Sequence, residues 1–173
     1  SYAAVCGYEP EFIKIENMAV GSSLTLENPP NKKYKGESSH ALINGMGGTI
    51  NYQDKSWQGF EAEDLIAIID LGSAKTINAV EVRFLQSQVF WIFLPYHIQI
   101  EHSSDGKNFE LIYEDFPSNN FSFEQKIISY KANLGPLESR FIRVKGYNID
   151  QCPDYHPGAG GPSWIFSDEI VIN

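Results

Sequence analysis

Apolar and polar residues alternate through most of this chain, and no window of a dozen residues holds the 3.6-residue apolar repeat of an amphipathic helix. Val80-Glu81-Val82-Arg83-Phe84, His97-Ile98-Gln99-Ile100-Glu101 and Phe141-Ile142-Arg143-Val144-Lys145 each send successive side chains to opposite faces of a strand. Leu65 to Leu71 is a nearly continuous apolar run that stops at Gly72, and Ile170-Val171-Ile172 has the β-branched content of a buried strand. The Asp105-Gly106 step predicts a tight turn before a further strand from Phe109 to Tyr113. Short strands joined by Gly, Asn and Pro loops predict an all-β, antiparallel sandwich or barrel with little helix.

A length of 173 residues fits one domain, and 42% hydrophobic with 13% aromatic residues can fill its core. The longest apolar run, Val89 to Leu94, is far short of the ~20 residues of a bilayer-spanning helix. Ser1-Tyr2-Ala3 has neither the basic nor the apolar region of a signal peptide, so a secreted protein would be seen here in mature or excised form. A net charge of -9 sets the chain against nucleic acid and anionic lipid, both of which select clustered Lys and Arg. Lys32, Lys33 and Lys35 make the one dense basic patch, read here as a solvated loop. Cys6 and Cys152 lack the paired spacing of a zinc site; they form either one long-range staple or two thiols.

Catalytic constellations are missing. Asp168 and Glu169 are adjacent on a predicted strand, so alternation sends them to opposite faces and they cannot flank one glycosidic bond at the ~5 to 9.5 Å a carboxylate pair needs. The histidines at 40, 97, 102 and 156 form no HExxH pattern, and neither a GxSxG elbow nor a phosphate-cradling loop occurs. Pro153 makes the stretch between Cys152 and His156 loop-like and unsuited to a thiolate–imidazole pair. The expectation is a protein that is not an enzyme.

Binding chemistry is better represented. Trp57, Phe90-Trp91, Tyr155 and Trp164 stand beside Gly/Pro-rich or polar loops, where an exposed ring joins a flat apolar face to nearby hydrogen-bonding groups. A pyranose needs that combination: its C–H face stacks on a ring while its hydroxyls find donors and acceptors. Trp91, Tyr155, His156, Gln88 and Trp57 are the candidate sugar-binding residues. Trp57 and Trp164 equally suit a structural role closing the sandwich end, and His156 equally suits holding its own loop.

Ala41-Leu42-Ile43-Asn44-Gly45, Trp57-Gln58-Gly59-Phe60, Ile69-Asp70-Leu71-Gly72, Ser104 to Phe109, Phe141 to Val144 and Asp168-Glu169-Ile170 follow the order seen in discoidin domains. These are also called coagulation-factor C-type domains and include the family 32 carbohydrate-binding modules. The resemblance covers residues 34–173; residues 1–33 are an N-terminal extension or first strand. Asn44 to Phe60, Gln86 to Pro95 and His156 to Ile170 are most similar to modules appended to bacterial family 20 β-hexosaminidases. The resemblance implies a galactose-binding-like jelly-roll β-sandwich. It also implies a structural calcium held by the carbonyls of Ala41, Met46 and Thr49, the side chains of Asn44 and Thr49, and Glu169. Asn44 stands where the family usually has Asp, which weakens such a site, and an ordinary Asn-Gly turn is the alternative. The implied function is non-catalytic, weak binding of galactose- or N-acetylhexosamine-type sugars. Such a module would serve a glycan-degrading or cell-surface protein in an extracellular, periplasmic or cell-surface setting. Two other functions compete: a structural or protein-interaction domain packed against a catalytic domain, and a membrane-lipid binder, against which the negative charge counts.

Overall fold

A computed structural model describes residues 12–173, so Cys6 and any bridge from it to Cys152 lie outside the described residues. Nine strands follow one another: β1 (Ile13–Lys14), β2 (Ser23–Leu26), β3 (Met46–Gly47), β4 (Gln58–Glu61), β5 (Leu65–Gln86), β6 (His97–Ser103), β7 (Glu110–Asp115), β8 (Lys126–Tyr147) and β9 (Trp164–Ile172). Helix among the described residues is confined to three short 3-10 turns, Lys32–Tyr34, Ala41–Ile43 and Gln88–Phe90. Every strand pair is antiparallel.

The two longest strands build the sandwich. Leu65 to Asp70 of β5 pairs with Phe141 to Gly146 of β8, whereas Ala79 to Gln86 pairs with Lys126 to Asn133, and the register shifts in between. Those irregularities let both strands pass from one layer to the other. One layer runs β2, the first half of β5, the second half of β8, β6, β7. The other runs the first half of β8, the second half of β5, β9, β4. The stretches Leu65 to Leu71 and Val80 to Phe84, which read as separate strands in the sequence, are therefore one bent element.

Alternation places the core between the layers. Leu65, Ala67, Ile69, Val80, Val82 and Phe84 of β5 are buried against Ile98, Ile100, Ile142, Val144, Ile170 and Ile172. The intervening Arg143 and Lys145 pair with Glu101 on the outer surface of the first layer. Within the N-terminal part, β2 lies along β5 and the Met18 amide donates to the Ile172 carbonyl, so residues from 12 onward are woven into the sandwich. The result is an all-β jelly-roll sandwich.

Candidate functional site

Two neighbourhoods collect the chemistry-bearing residues. The first is the corner where β9 meets the loop from Ala41 to Thr49. Ile170 pairs with Val82 and Ser167 with Phe84, so Asp168 and Glu169 together oppose the single residue Arg83. This is a β-bulge, and it suspends the alternation that the sequence implied. Both carboxylates consequently reach the same loop: the Gly48 amide donates to Asp168 Oδ2 and the Gly45 amide to Glu169 Oε1, each at 2.7 Å. The expectation of opposite faces is corrected here. The conclusion drawn from it survives on other grounds, because both side chains are fully buried and out of reach of a substrate.

Each acid has an assigned task. Asp168 pairs with the Arg83 guanidinium at 3.0 Å, which works against burial as burial pushes its carboxyl up. Glu169 Oε1 also accepts from Asn17 Nδ2, while Oε2 is buried without a partner. Burial pushes the Glu169 carboxyl up to about 7, the bonds from Asn17 and Gly45 pulling the other way. Gly45 turns the loop with φ of 76°, and a Cβ there would meet the Ile15 carbonyl at 2.9 Å. Asn44 Oδ1 accepts from the Met46 amide, as in an ordinary Asn-Gly turn, and Thr49 donates its hydroxyl to Asp54, a residue the sequence did not single out.

The second neighbourhood is one end of the sandwich, where the loops 87–96, 116–125 and 148–163 meet. Gln88 Nε2 donates to the Asn120 carbonyl, its Oε1 accepts from the Ser122 amide, and its carbonyl meets His156 Nε2 at 2.7 Å. His156 Nδ1 accepts from the Gly158 amide. Gln88 is 3% and His156 7% exposed, so the polar atoms expected to meet sugar hydroxyls instead tie three loops together. Trp57 needs a similar correction: it is 1% exposed and donates Nε1 to the Thr49 carbonyl, which makes it core beneath the loop from Ala41 to Thr49.

Trp91 and Tyr155 are open to solvent, at 36% and 40%. Trp91 follows the turn Gln88–Phe90 in the left-handed region, φ 66°, a conformation that a bulky residue holds only when its surroundings impose it. The Trp91 amide donates to Gln88, and its carbonyl accepts from Trp164. Its indole lies over Gly158 and Gly161, where any Cβ would come within 2.6 Å of the ring. Tyr155 donates to the Asn119 carbonyl and sets its ring edge-on to Phe121.

Beside Trp91 opens a groove of about 350 Å³, walled by Tyr34, Tyr52, Phe90, Trp91 and Trp164, with Lys33 as its one charged group. Tyr52 and Phe90 stand 4.6 Å apart between centroids and Tyr34 meets Trp164 edge-on at 5.3 Å. The turn Lys32–Tyr34 is fixed by the Asn31 side chain, which accepts from the Lys33 amide. Sequence reading missed Tyr34, Tyr52 and Lys33. They lie far along the chain from Trp91, and only the pairing of β4 with β9 brings their segments to the same end.

No family model matches the sequence, and no curated protein matches it. Solved structures do resemble the fold. The module CpGH89CBM32-6 of Clostridium perfringens superposes with a TM-score of 0.55 at 17% identity, over 91% of this chain and 98% of that one. CpGH89CBM32-4 of the same organism, solved in complex with GlcNAc-α-1,4-galactose, gives 0.56 at 15% identity over 94% and 95%. Chitosan-binding module 1 of a chitosanase/glucanase from Paenibacillus sp. IK-5 gives 0.56 at 13% identity over 91% and 98%. At these identities the likeness is one of fold, and the chain has the jelly-roll sandwich of family 32 carbohydrate-binding modules.

Proposed function

We propose that this chain is a non-catalytic carbohydrate-binding module whose site is the aromatic groove beside Trp91. The observation that carries the reading is a cluster of rings open to solvent at the loop end of a fold whose solved relatives include a module captured with a disaccharide. Tyr52, Phe90 and Trp91 offer C–H stacking faces, with Tyr155 on the neighbouring loop as an outer contact. Gln88 and His156 act as positioning residues. Galactose- and N-acetylhexosamine-type sugars are the first candidates, the second from the similarity of the loops to hexosaminidase-linked modules. Binding of one unit should be no tighter than about 0.1 to 1 mM, since exposed polar contacts mostly replace water. Useful retention then comes from several modules or an attached catalytic domain, in an extracellular, periplasmic or cell-surface protein.

Calcium at the loop from Ala41 to Thr49 is part of the same proposal. The donors there are all oxygen, and Glu169 Oε2 is one of three buried side-chain atoms without a hydrogen-bond partner among the described residues, the one at this loop, which suits a hard cation. Carbonyls of Ala41, Met46 and Thr49 with the Asn44 and Thr49 side chains and Glu169 would hold it. The ion would be structural, tying an early loop to the last strand.

A glycan array probed with the isolated chain tests the function. Binding that is lost in Tyr52→Ala and Trp91→Ala, with folding retained, supports it; a silent array with a folded protein rejects it in favour of a structural or protein-interaction domain.

A further inference from the structure

We infer that the sugar held at this groove carries an acidic group, a uronate carboxylate or a sulfate. The inference rests on the carbohydrate-binding reading above and assigns its ligand class. The chain has a net charge of -9, yet Lys32, Lys33, Lys35 and Lys55, four of its thirteen cationic side chains, converge beside the aromatic groove. All four are exposed, and none forms an ion pair among the described residues. By contrast, Arg83, Lys126, Arg140, Arg143 and Lys145 are each paired with an acid. Lys14, Lys75, Lys107 and Lys131 are also unpaired among the described residues but line neither the groove nor the hollow beside it, whereas these four line that one hollow and make a local positive field against the sign of the whole.

Geometry joins that corner to the stacking site. A second hollow of about 320 Å³ lined by the four lysines is continuous with the groove through Lys33 and Tyr34, which line both. Lys33 Nζ stands 5.3 Å from the Tyr34 ring centroid, at the boundary between them. The two acids of this hollow, Glu37 and the inward-turned Asp54, which accepts from the Thr49 amide and hydroxyl, offset only part of the charge and leave the four lysines in excess. A pyranose stacked on Tyr52 or Trp91 would direct an exocyclic carboxylate or sulfate toward Lys33, with Lys32, Lys35 and Lys55 supporting further acidic units of a chain. The groove itself offers no carboxylate to reject such a group, and neutral sugars leave its cation without a partner.

Matched sugars test this by calorimetric titration at low and high salt: α-1,4-galactotriose against α-1,4-trigalacturonate and galactose against galactose 6-sulfate, with vesicles of phosphatidylserine and phosphatidylcholine as a separate probe. The acidic sugars should bind about fivefold or more tightly than their neutral counterparts at low salt, as expected of exposed ion pairs acting together. Raising sodium chloride to about 0.5 M, where screening acts within a few ångströms, should bring the ratio toward one. Lys33→Gln should abolish the preference and Lys33→Arg should restore it, which separates charge recognition from a folding defect. Equal affinity for neutral and acidic sugars would overturn the inference and leave the sugar-binding reading intact. Silence toward every sugar would overturn both, and binding to anionic vesicles alone would assign the lysines and exposed rings to a lipid surface instead.

Discussion

The corner at Asp168 and Glu169 and the loop end around Trp91 are built from side chains of the kind found in binding sites, but burial gives them opposite uses. At the corner, the β9 bulge turns two carboxylates inward, where Arg83, Asn17 and the amides of Gly45 and Gly48 hold every carboxylate oxygen except Glu169 Oε2. At the loop end, polar groups such as Gln88 and His156 are likewise consumed, yet Phe90, Trp91, Tyr52 and Lys33 are left facing a groove. The difference teaches that residue type does not identify a site in this fold. What identifies it is which side chains remain both unspent and open to solvent once the loops have been tied.

The contrast is broken most severely by removing the corner's cation. Arg83→Ala leaves Asp168 buried without its charged partner and should cost about 3 to 5 kcal/mol in denaturant-induced unfolding. A loss below about 1 kcal/mol would mean that the corner is wetter than its burial indicates. Two tryptophans give the next comparison. Trp57→Ala should cost about 3 to 5 kcal/mol because its ring is core, whereas Trp91→Ala should cost about 1 kcal/mol and act mainly on ligand binding. Similar losses for both would erase the distinction between sealed and open aromatics.

Glu169 sharpens the comparison through pH. Its folded-state carboxyl is raised to about 7 from 4.5, so the native metal-free protein favours the protonated form. Stability from this group is then full below about pH 4.5 and declines as pH rises through about 7, by up to about 3 kcal/mol. Melting temperatures in chelator should fall over that window, and Glu169→Gln should flatten the slope. Added calcium at about 100 times its Kd should stabilise the protein by about 3 kcal/mol near neutral pH and by less at pH 5, where the carboxyl is protonated. Melting that ignores both chelator and calcium, in protein stripped of metal, would remove calcium from the corner.

How much of this was legible in the sequence differs between the two regions. Strand alternation in β5, β6 and β8 follows from local pattern, because the faces of a half-buried strand differ in hydrophobicity wherever the strand goes. The Asn44-Gly45 turn was legible too, since φ of 76° is written in its glycine. The bulge at Asp168 and Glu169 was not, because it arises from register against Arg83 on a distant strand. Trp91 and Tyr155 could be picked out as loop aromatics, but Tyr34 and Tyr52 join them only through tertiary contacts. Gln88 and His156 have the chemistry of ligand contacts, and only their hydrogen bonds show that it is used internally.

The most direct measurement is a titration of the ¹⁵N-labelled chain with acidic and neutral oligosaccharides, followed residue by residue in amide and indole resonances. Shifts should saturate at millimolar sugar and cluster at Lys33, Tyr52, Phe90 and Trp91, leaving the amides of Gly45, Gly48, Asp168 and Glu169 unmoved. Shifts centred on the corner, or absent at the loop end while sugar demonstrably binds, would contradict the division between a sealed corner and an open, ligand-facing groove.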